Sequence, residues 1–406
     1  MALLSINKIQ KVMIYPLLMV ITHILDKVLI DLISSNMSSY DDMSSYDDMI
    51  SYNDIEFIHK LFITYIMFFS ESLAIVLYFI QRKRTFGASR QKMEMIPGKF
   101  IDKFIVFLLI TLVFAVDCIS TFVQIYLSDS VLSFFDMILR GVTLFLATLL
   151  SMKILHYKYY RHHWFGFLIL LIGLIIITTN TVYFNYKTIS SQSIWNISVN
   201  ICISYIWSAC QEVNEKYIMD VKYVSPFAVV GLEGIGGLVS MTIIYPILAV
   251  FNKEFGFDHL KNYMKFMKFI FCKNPCIWIY YIILIISISA FNTYKVLTIH
   301  HFYPTYNGLS DVLGDFIYWI VFYILDKYFK IQISNTDKIT SSFFINIISY
   351  LIMTLGIIIY LEIVQINCFG LNTNTREQIK RRTSIDIYQN IFELPLDDED
   401  ENSIIE

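Results

Sequence analysis

The chain has 406 residues, of which 56% are hydrophobic and 16% charged, with a formal net charge of −3. Soluble domains carry about 25% charged residues, so this composition, with a mean hydropathy of +0.58, points to an integral membrane protein. The near-neutral charge gives no basis for nucleic-acid binding, and six scattered cysteines (118, 202, 210, 272, 276 and 368) are not a disulfide framework.

A run of about 20 apolar residues crosses a bilayer. Ten such runs are predicted, at 12–34, 56–80, 104–126, 131–152, 164–183, 194–215, 226–251, 277–298, 302–325 and 343–365. They are too long for the strands of a membrane barrel and lack its strict alternation. The expected fold class is therefore an all-α integral membrane protein with ten transmembrane helices. Residues 1–11 are the N-terminal segment. Lys8 and Lys11 precede the first run and no small-residue cleavage site follows it, so it is expected to be a retained helix. Asp26, Lys27 and Asp31, in ILDKVLIDL, are expected at a solvated helix end with Lys27 snorkelling. The loop at 35–55 carries the tandem hexapeptide SSYDDM-SSYDDM, an acidic low-complexity spacer expected to be disordered.

Single ionisable groups punctuate the middle runs. Glu71, Asp117 and Glu233 are isolated carboxylates within the second, third and seventh runs. Such a group can carry a coupling proton or gate a pathway, and its plainer role is a hydrogen-bonded helix contact. Asp136 and Arg140 stand one helical turn apart in the fourth run, in SFFDMILRG. His156, His162 and His163 in HYKYYRHH are expected to be interfacial, because no nearby carboxylate or cysteine completes a tetrahedral metal set; no metal and no cofactor is expected. Gln211, Glu212 and Glu215 end the sixth run, where the acids either line an inner vestibule or pair with Lys216 and Lys222. Glu233 sits in VVGLEGIGG, whose four glycines allow close backbone approach.

The loop at 252–276 gathers Leu260, Tyr263, Met264, Met267, Ile270 and Phe271 on one helical face, as expected of a short helix in the interface. It ends in FCKNPC, where Cys272 and Cys276 admit either a disulfide or two free thiols. Asn292 and Lys295 in the eighth run offer a cationic partner for Asp311 or Asp315 in the ninth, with interfacial snorkelling of Lys295 as the alternative. The tail at 366–406 is polar, ends in LDDEDENSIIE and is expected to be disordered. Its KRRTSID and YQNI segments are weak pointers to kinase action and endomembrane traffic.

Dividing the ten runs into two fives (12–183 and 184–365) aligns SFFDMILRG at 133–141 with GLSDVLGDF at 308–316. Asp136 then matches Asp311, and Arg140 matches Asp315. An odd number of spans per half inverts the second half in the membrane, the architecture of alternating-access transporters with a midplane site. Asp136, Arg140, Asp311 and Asp315, with Asn292 and Lys295, are the expected central cavity. Lys and Arg are about twice as abundant on the side that holds both termini, which sets N- and C-termini in the cytosol.

Two stretches, CQEVNEKYIMDVKYVSPFAVVGLEGIGG at 210–237 and LVFAVDCISTFVQIYLSDSVLSFFDMILRG at 112–141, resemble the drug/metabolite transporter (EamA-like) superfamily. Within it the likeness is to solute carrier family 35, the nucleotide-sugar-transporter-like group, in its F branch. Asp117, Arg140–Gly141, Gln211–Lys216 and Glu233–Gly234 match that branch's acidic residue in helix three, R-G in helix four, Q-x-V-x-E-K run in helix six and E-G in helix seven. His59 and Glu71 match its second helix. The resemblance implies two inverted five-helix repeats, cytosolic termini and movement of a small organic solute. An endomembrane location, hinted at by the tail, and a monomer or weak homodimer in a lipid bilayer are separate expectations. It does not imply a substrate. Gly314 and Asp315 stand where the branch has an arginine, and Asp136 replaces a neutral residue, which shifts the expected solute from an anion towards a neutral or cationic one. The chain has no nucleophile elbow, P-loop or zinc-protease motif, so no enzyme is expected. The alternative is a non-transporting scaffold or receptor that keeps the fold.

Overall fold

A computed structural model of the chain describes residues 14–38, 52–85, 99–126, 130–185, 204–251, 276–329 and 339–364, with scattered single positions elsewhere. Among the described residues all regular structure is helical: α1 Ile14–Ser38, α2 Tyr52–Ser72, α3 Ala74–Thr85, α4 Phe100–Tyr126, α5 Ser130–Ile154, α6 Arg161–Asn185, α7 Ile206–Val221, α8 Pro226–Phe251, α9 Cys276–His301, α10 Thr305–Phe329 and α11 Ile339–Tyr360. Four stretches among them are long and apolar enough to cross a membrane: Leu61–Lys83, Arg161–Asn180, Pro226–Ile243 and Ile277–His301. A helix pairs its own backbone groups, as lipid requires. Large apolar side chains such as Phe107, Leu168, Ile175 and Ile286 point outward and exposed, as a lipid-facing surface does. The described residues are thus helical, with four helices that fit a membrane protein.

Two boundaries differ from the hydropathy reading. The run at 56–80 breaks at Leu73 into α2 and α3, where Leu73 N–H donates to Ser70 O at 3.2 Å and Val76 N–H to Leu73 O at 3.0 Å. The run predicted to end at 215 continues to Val221. Apolarity stops there, but the helix does not, because Lys216 and Asp220 pair one turn apart at 3.2 Å and keep the polar turns helical. The segments 35–55 and 366–406, and the amphipathic face at 260–271, lie mostly outside the described residues. Of that face, Met267 is buried and Met264 exposed.

Packing divides the chain into two compact units, Met1–Tyr157 with Ile177–Asn346, and Lys158–Ile176 with Ile347–Glu406. In the first, α1 packs on α9 and α10, α8 on α2, α3, α4 and α9, and α5 on α7 and α10. Further, α9 packs on α2, α7 and α10, and α4 on α2 and α7. Two apolar clusters hold it. One joins Ala74, Tyr78, Ile110, Ile218, Val229 and Val296. The other joins Leu29, Ile33, Ile66, Met267, Tyr281 and Ile288. In the second unit the first half of α6 crosses α11 with backbones in contact. A Cβ on Gly166 would lie 2.7 Å from Gly356 O, and one on Gly356 would lie 2.7 Å from Gly166 O.

Candidate functional site

Between the two apolar clusters of the first unit lies a polar layer. On α2–α3, Glu71 falls between Ile66 of one cluster and Ala74 of the other; on α9, Asn292 and Lys295 fall between Ile288 and Val296. These residues line a cavity of about 410 Å³. Its walls also carry Asp117 from α4, Gln211, Glu212 and Glu215 from α7, Glu233 from α8 and Asp311 from α10, with Thr143, Tyr205, Ser208, Phe291 and His23. Six carboxylates thus face one ammonium among the described lining residues. A second groove of about 690 Å³, near Tyr15, Leu77, Phe227 and Leu297, is larger but chiefly apolar and gathers no such charge.

Backbone contacts fix the acids. At the α2–α3 break, α8 presses close: a Cβ on Gly234 would lie 2.3 Å from Ser72 N. Only glycine permits that approach, and it sets Glu71 and Glu233 on adjoining walls. Asn292 Nδ2 donates to Glu71 Oε1 at 2.8 Å. Asn307 Nδ2 donates to Glu212 Oε1. The layer is still under-satisfied, because Glu71 Oε2, Glu215 Oε2, Glu233 Oε1 and Asp311 Oδ1 are buried without a hydrogen-bond partner among the described residues. Lys295 interacts electrostatically with Glu215, Glu212, Asp117 and Asp311. Buried charge of one sign in such excess calls for a counter-charge or a proton. The chemistry available is binding and charge exchange.

The structure gathers Glu71, Asp117, Glu233, Gln211, Glu212, Glu215, Asn292, Lys295 and Asp311 around this one cavity. The three carboxylates read as isolated are therefore neighbours in space. Sequence spacing could not reveal this, because they come from three different helices. Glu212 and Glu215 do not pair with Lys216, which turns to Asp220 and donates to His300 O at 2.6 Å, while Lys222 meets Asp102 at 3.5 Å.

Asp136 and Arg140 lie on α5, but their side chains are outside the described residues. The crossing expected between α5 and α10 is present: Gly308 faces Leu144, whose Cδ1 would be 2.8 Å from an added Cβ. Asp315 is a correction. It does not join the cavity lining; His23 Nε2 donates to its Oδ1 at 2.9 Å and Lys27 also binds it. Asp26, Lys27 and Asp31 are likewise not at a solvated helix end. Asp26 is buried, and Asp31 accepts a hydrogen bond from Tyr318. Apolar counting hid this, since α1 carries His23, Lys27 and Asp31 four residues apart on the one face turned to α10.

Of the two alternatives left open at Cys272, the structure has the free thiol, exposed and not bridged; the side chain of Cys276 is outside the described residues. One further expectation changes. In the second unit a carboxylate does reach the histidines: Glu362 Oε1 is 2.8 Å from His162 Nε2. Ligand atoms of His162, His163 and Glu362 all lie within 4.8 Å of one another. The sequence reading missed Glu362 because it is 200 residues from His162. Three ligands fall short of a closed tetrahedral site, and Tyr160 N–H already donates to His163 Nδ1 at 3.3 Å.

No family model matches the chain, and no curated protein matches it. Function is therefore argued from the cavity. Sequence reasoning missed His23, Thr143 and Tyr205 there, and Asn307 behind Glu212. Asn307 was findable, because it lies four residues before Asp311 on the same face of α10. His23 was findable only with Gly314, whose missing Cβ would lie 2.7 Å from His23 Cδ2.

Proposed function

We propose that the chain is a secondary-active transporter that moves a small organic solute across a membrane by alternating access. One observation carries this reading: a chamber of about 410 Å³ ringed by charged side chains from helices of both halves of the chain. Intramembrane ionisable groups facing a shared cavity mark solute or ion pathways. A scaffold that merely kept the fold would pair its charges off helix by helix, as Asp315 is paired. Here one ammonium, Lys295, is shared among Glu215, Glu212, Asp117 and Asp311 from three helices. Glu71, Asp117 and Glu233 are the groups able to exchange a proton or a cation as the chamber opens to either side.

We read the architecture as ten transmembrane helices in two inverted five-helix repeats, 12–183 and 184–365. The packing supports this through an exchange rule. Let α7 be the counterpart of α1, α8 of α2–α3, α9 of α4 and α10 of α5. Swapping counterparts turns α1–α9 into α4–α7, α1–α10 into α5–α7, and α4–α8 into α2–α9. The pairs α2–α8 and α5–α10 swap into themselves. All of these are packed pairs, whereas α7–α9 and α9–α10 swap into α1–α4 and α4–α5, which are not among the packed pairs of the described residues. The reciprocal crossing of Gly166 and Gly356 repeats the rule for α6 and α11. A two-fold axis in the membrane plane produces such reciprocity. The likeness to the solute carrier 35 F branch adds to it, since Glu71, Asp117, Gln211, Glu215 and Glu233, which carry that likeness, all line the cavity. In this reading both termini are cytosolic and the membrane is an endomembrane.

The test is reconstitution. Proteoliposomes holding the full chain are screened for solute uptake under imposed proton and cation gradients, then compared with Glu71→Gln and Asp311→Asn. Uptake that falls tenfold or more in both variants is expected. Unchanged uptake in both, or no uptake of any solute class, would refute the reading.

A further inference from the structure

The geometry points to a small organic cation as the solute of this cavity, bound among its carboxylates in exchange with the ammonium of Lys295; the inference rests on the transport reading of the same chamber. The first ground is charge. The described lining holds five more carboxylates than ammonium groups. Asp136 and Arg140, whose side chains are outside the described residues, can change that excess by at most one. An anionic solute would meet like charge on nearly every wall.

The second ground is unmet hydrogen bonding. Glu215 is 1% exposed and its Oε2 has no partner among the described residues. Glu233 Oε1 and Glu71 Oε2 are also buried and unmet. Each is a lone-pair site from a different helix, and all three helices line the one void. An N–H donor with positive charge satisfies such oxygens and neutralises them together.

The third ground is the spacing of the carboxylates. Among the described residues, three ligand atoms of His, Cys, Asp or Glu converge within 4.8 Å only at His162, His163 and Glu362, outside the cavity. The cavity carboxylates are thus spread around a chamber of about 410 Å³, a size typical of small-molecule sites at roughly 300–1,000 Å³. Phe291 and Tyr205 add aromatic faces to the lining, which attract ammonium and quaternary ammonium groups. Lys295 is the resident counter-charge. It interacts with Glu215, Glu212, Asp117 and Asp311, and a bound cation takes over part of that role.

The test is calorimetric titration of the full chain in lipid nanodiscs with isosteric pairs. Choline is compared with 3,3-dimethylbutan-1-ol, and putrescine with butane-1,4-diol; UDP-glucose serves as the anion. At least one cation is expected to bind tenfold or more tighter than its neutral partner. Glu215→Gln and Glu71→Gln each weaken that binding by tenfold or more, and Lys295→Met tightens it severalfold, with the thermal midpoint of each variant as a folding control. Neutral partners binding as well as the cations, or UDP-glucose binding best, overturns the inference, and these arms need no variant. Unaltered cation binding in Lys295→Met overturns the exchange with Lys295. Cation binding without uptake in proteoliposomes would sink the transport reading alone; uptake of a neutral or anionic solute without cation binding would sink this inference alone.

Discussion

Asn292 shows how one residue serves both stability and the site. Its amide donates to Glu71 Oε1 at 2.8 Å, and the other Glu71 oxygen is already buried and unmet. Leaving a buried acceptor unmet costs about 1–3 kcal/mol. Asn292→Ala is expected to lower the thermal midpoint of the purified protein by a cost of that order. Asn292→Asp should cost more, because it sets a like charge against Glu71 as well as removing the donor. A midpoint in Asn292→Asp equal to that of wild type would mean that the two side chains do not meet. Asp315 is held differently. It is 5% exposed and binds both His23 and Lys27, but Lys27 remains 30% exposed. Breaking a fully buried pair costs about 3–5 kcal/mol, while exposed pairs contribute about 1 kcal/mol or less. Asp315→Asn should therefore fall between, at about 1–3 kcal/mol, and the Lys27→Met, Asp315→Asn double variant should recover part of the loss in chemical or thermal unfolding.

At the level of elements, helix packing turns on a few positions without a side chain. The α2–α3 break, the close approach of α8 at Gly234 and the location of Glu71 are one arrangement. An added methyl at Gly234 would meet backbone, not a yielding side-chain tip, so α8 must move. Overpacking of this kind costs typically 1–3 kcal/mol. Gly234→Ala is expected to lower stability by that amount and to weaken solute binding too, because the shift displaces Glu71. Gly308→Ala is the contrast: its neighbour is the terminal methyl of Leu144, which can rotate aside, so the loss should be smaller. Equal thermal losses in the two variants would contradict this account. The polar row His23, Lys27 and Asp31 gives α1 its own docking face for α10.

At the scale of the whole molecule, the exposed thiol of Cys272 tests the orientation. In sealed vesicles with a known cytosolic face, a variant keeping only Cys272 should react with a membrane-impermeant maleimide from the exoplasmic side. Reaction from the cytosolic side would reverse the assigned topology. Composition and the length of its apolar runs made the chain helical and membranous before any contact was known, because lipid leaves a backbone few other ways to satisfy itself. The same runs located Glu71, Asp117, Glu212, Glu215, Glu233 and Asp311, since a charge inside an apolar span stands out wherever it points. Sequence could not decide which of those charges meet. Asp315 and Asp311 are four residues apart on one helix, yet one binds α1 and the other lines the cavity. Glu71 and Glu233 are 162 residues apart and line the same cavity. Partnership depends on which helix faces lie together, and that is fixed by close approaches such as Gly234 on Ser72, which exist only once the helices are packed.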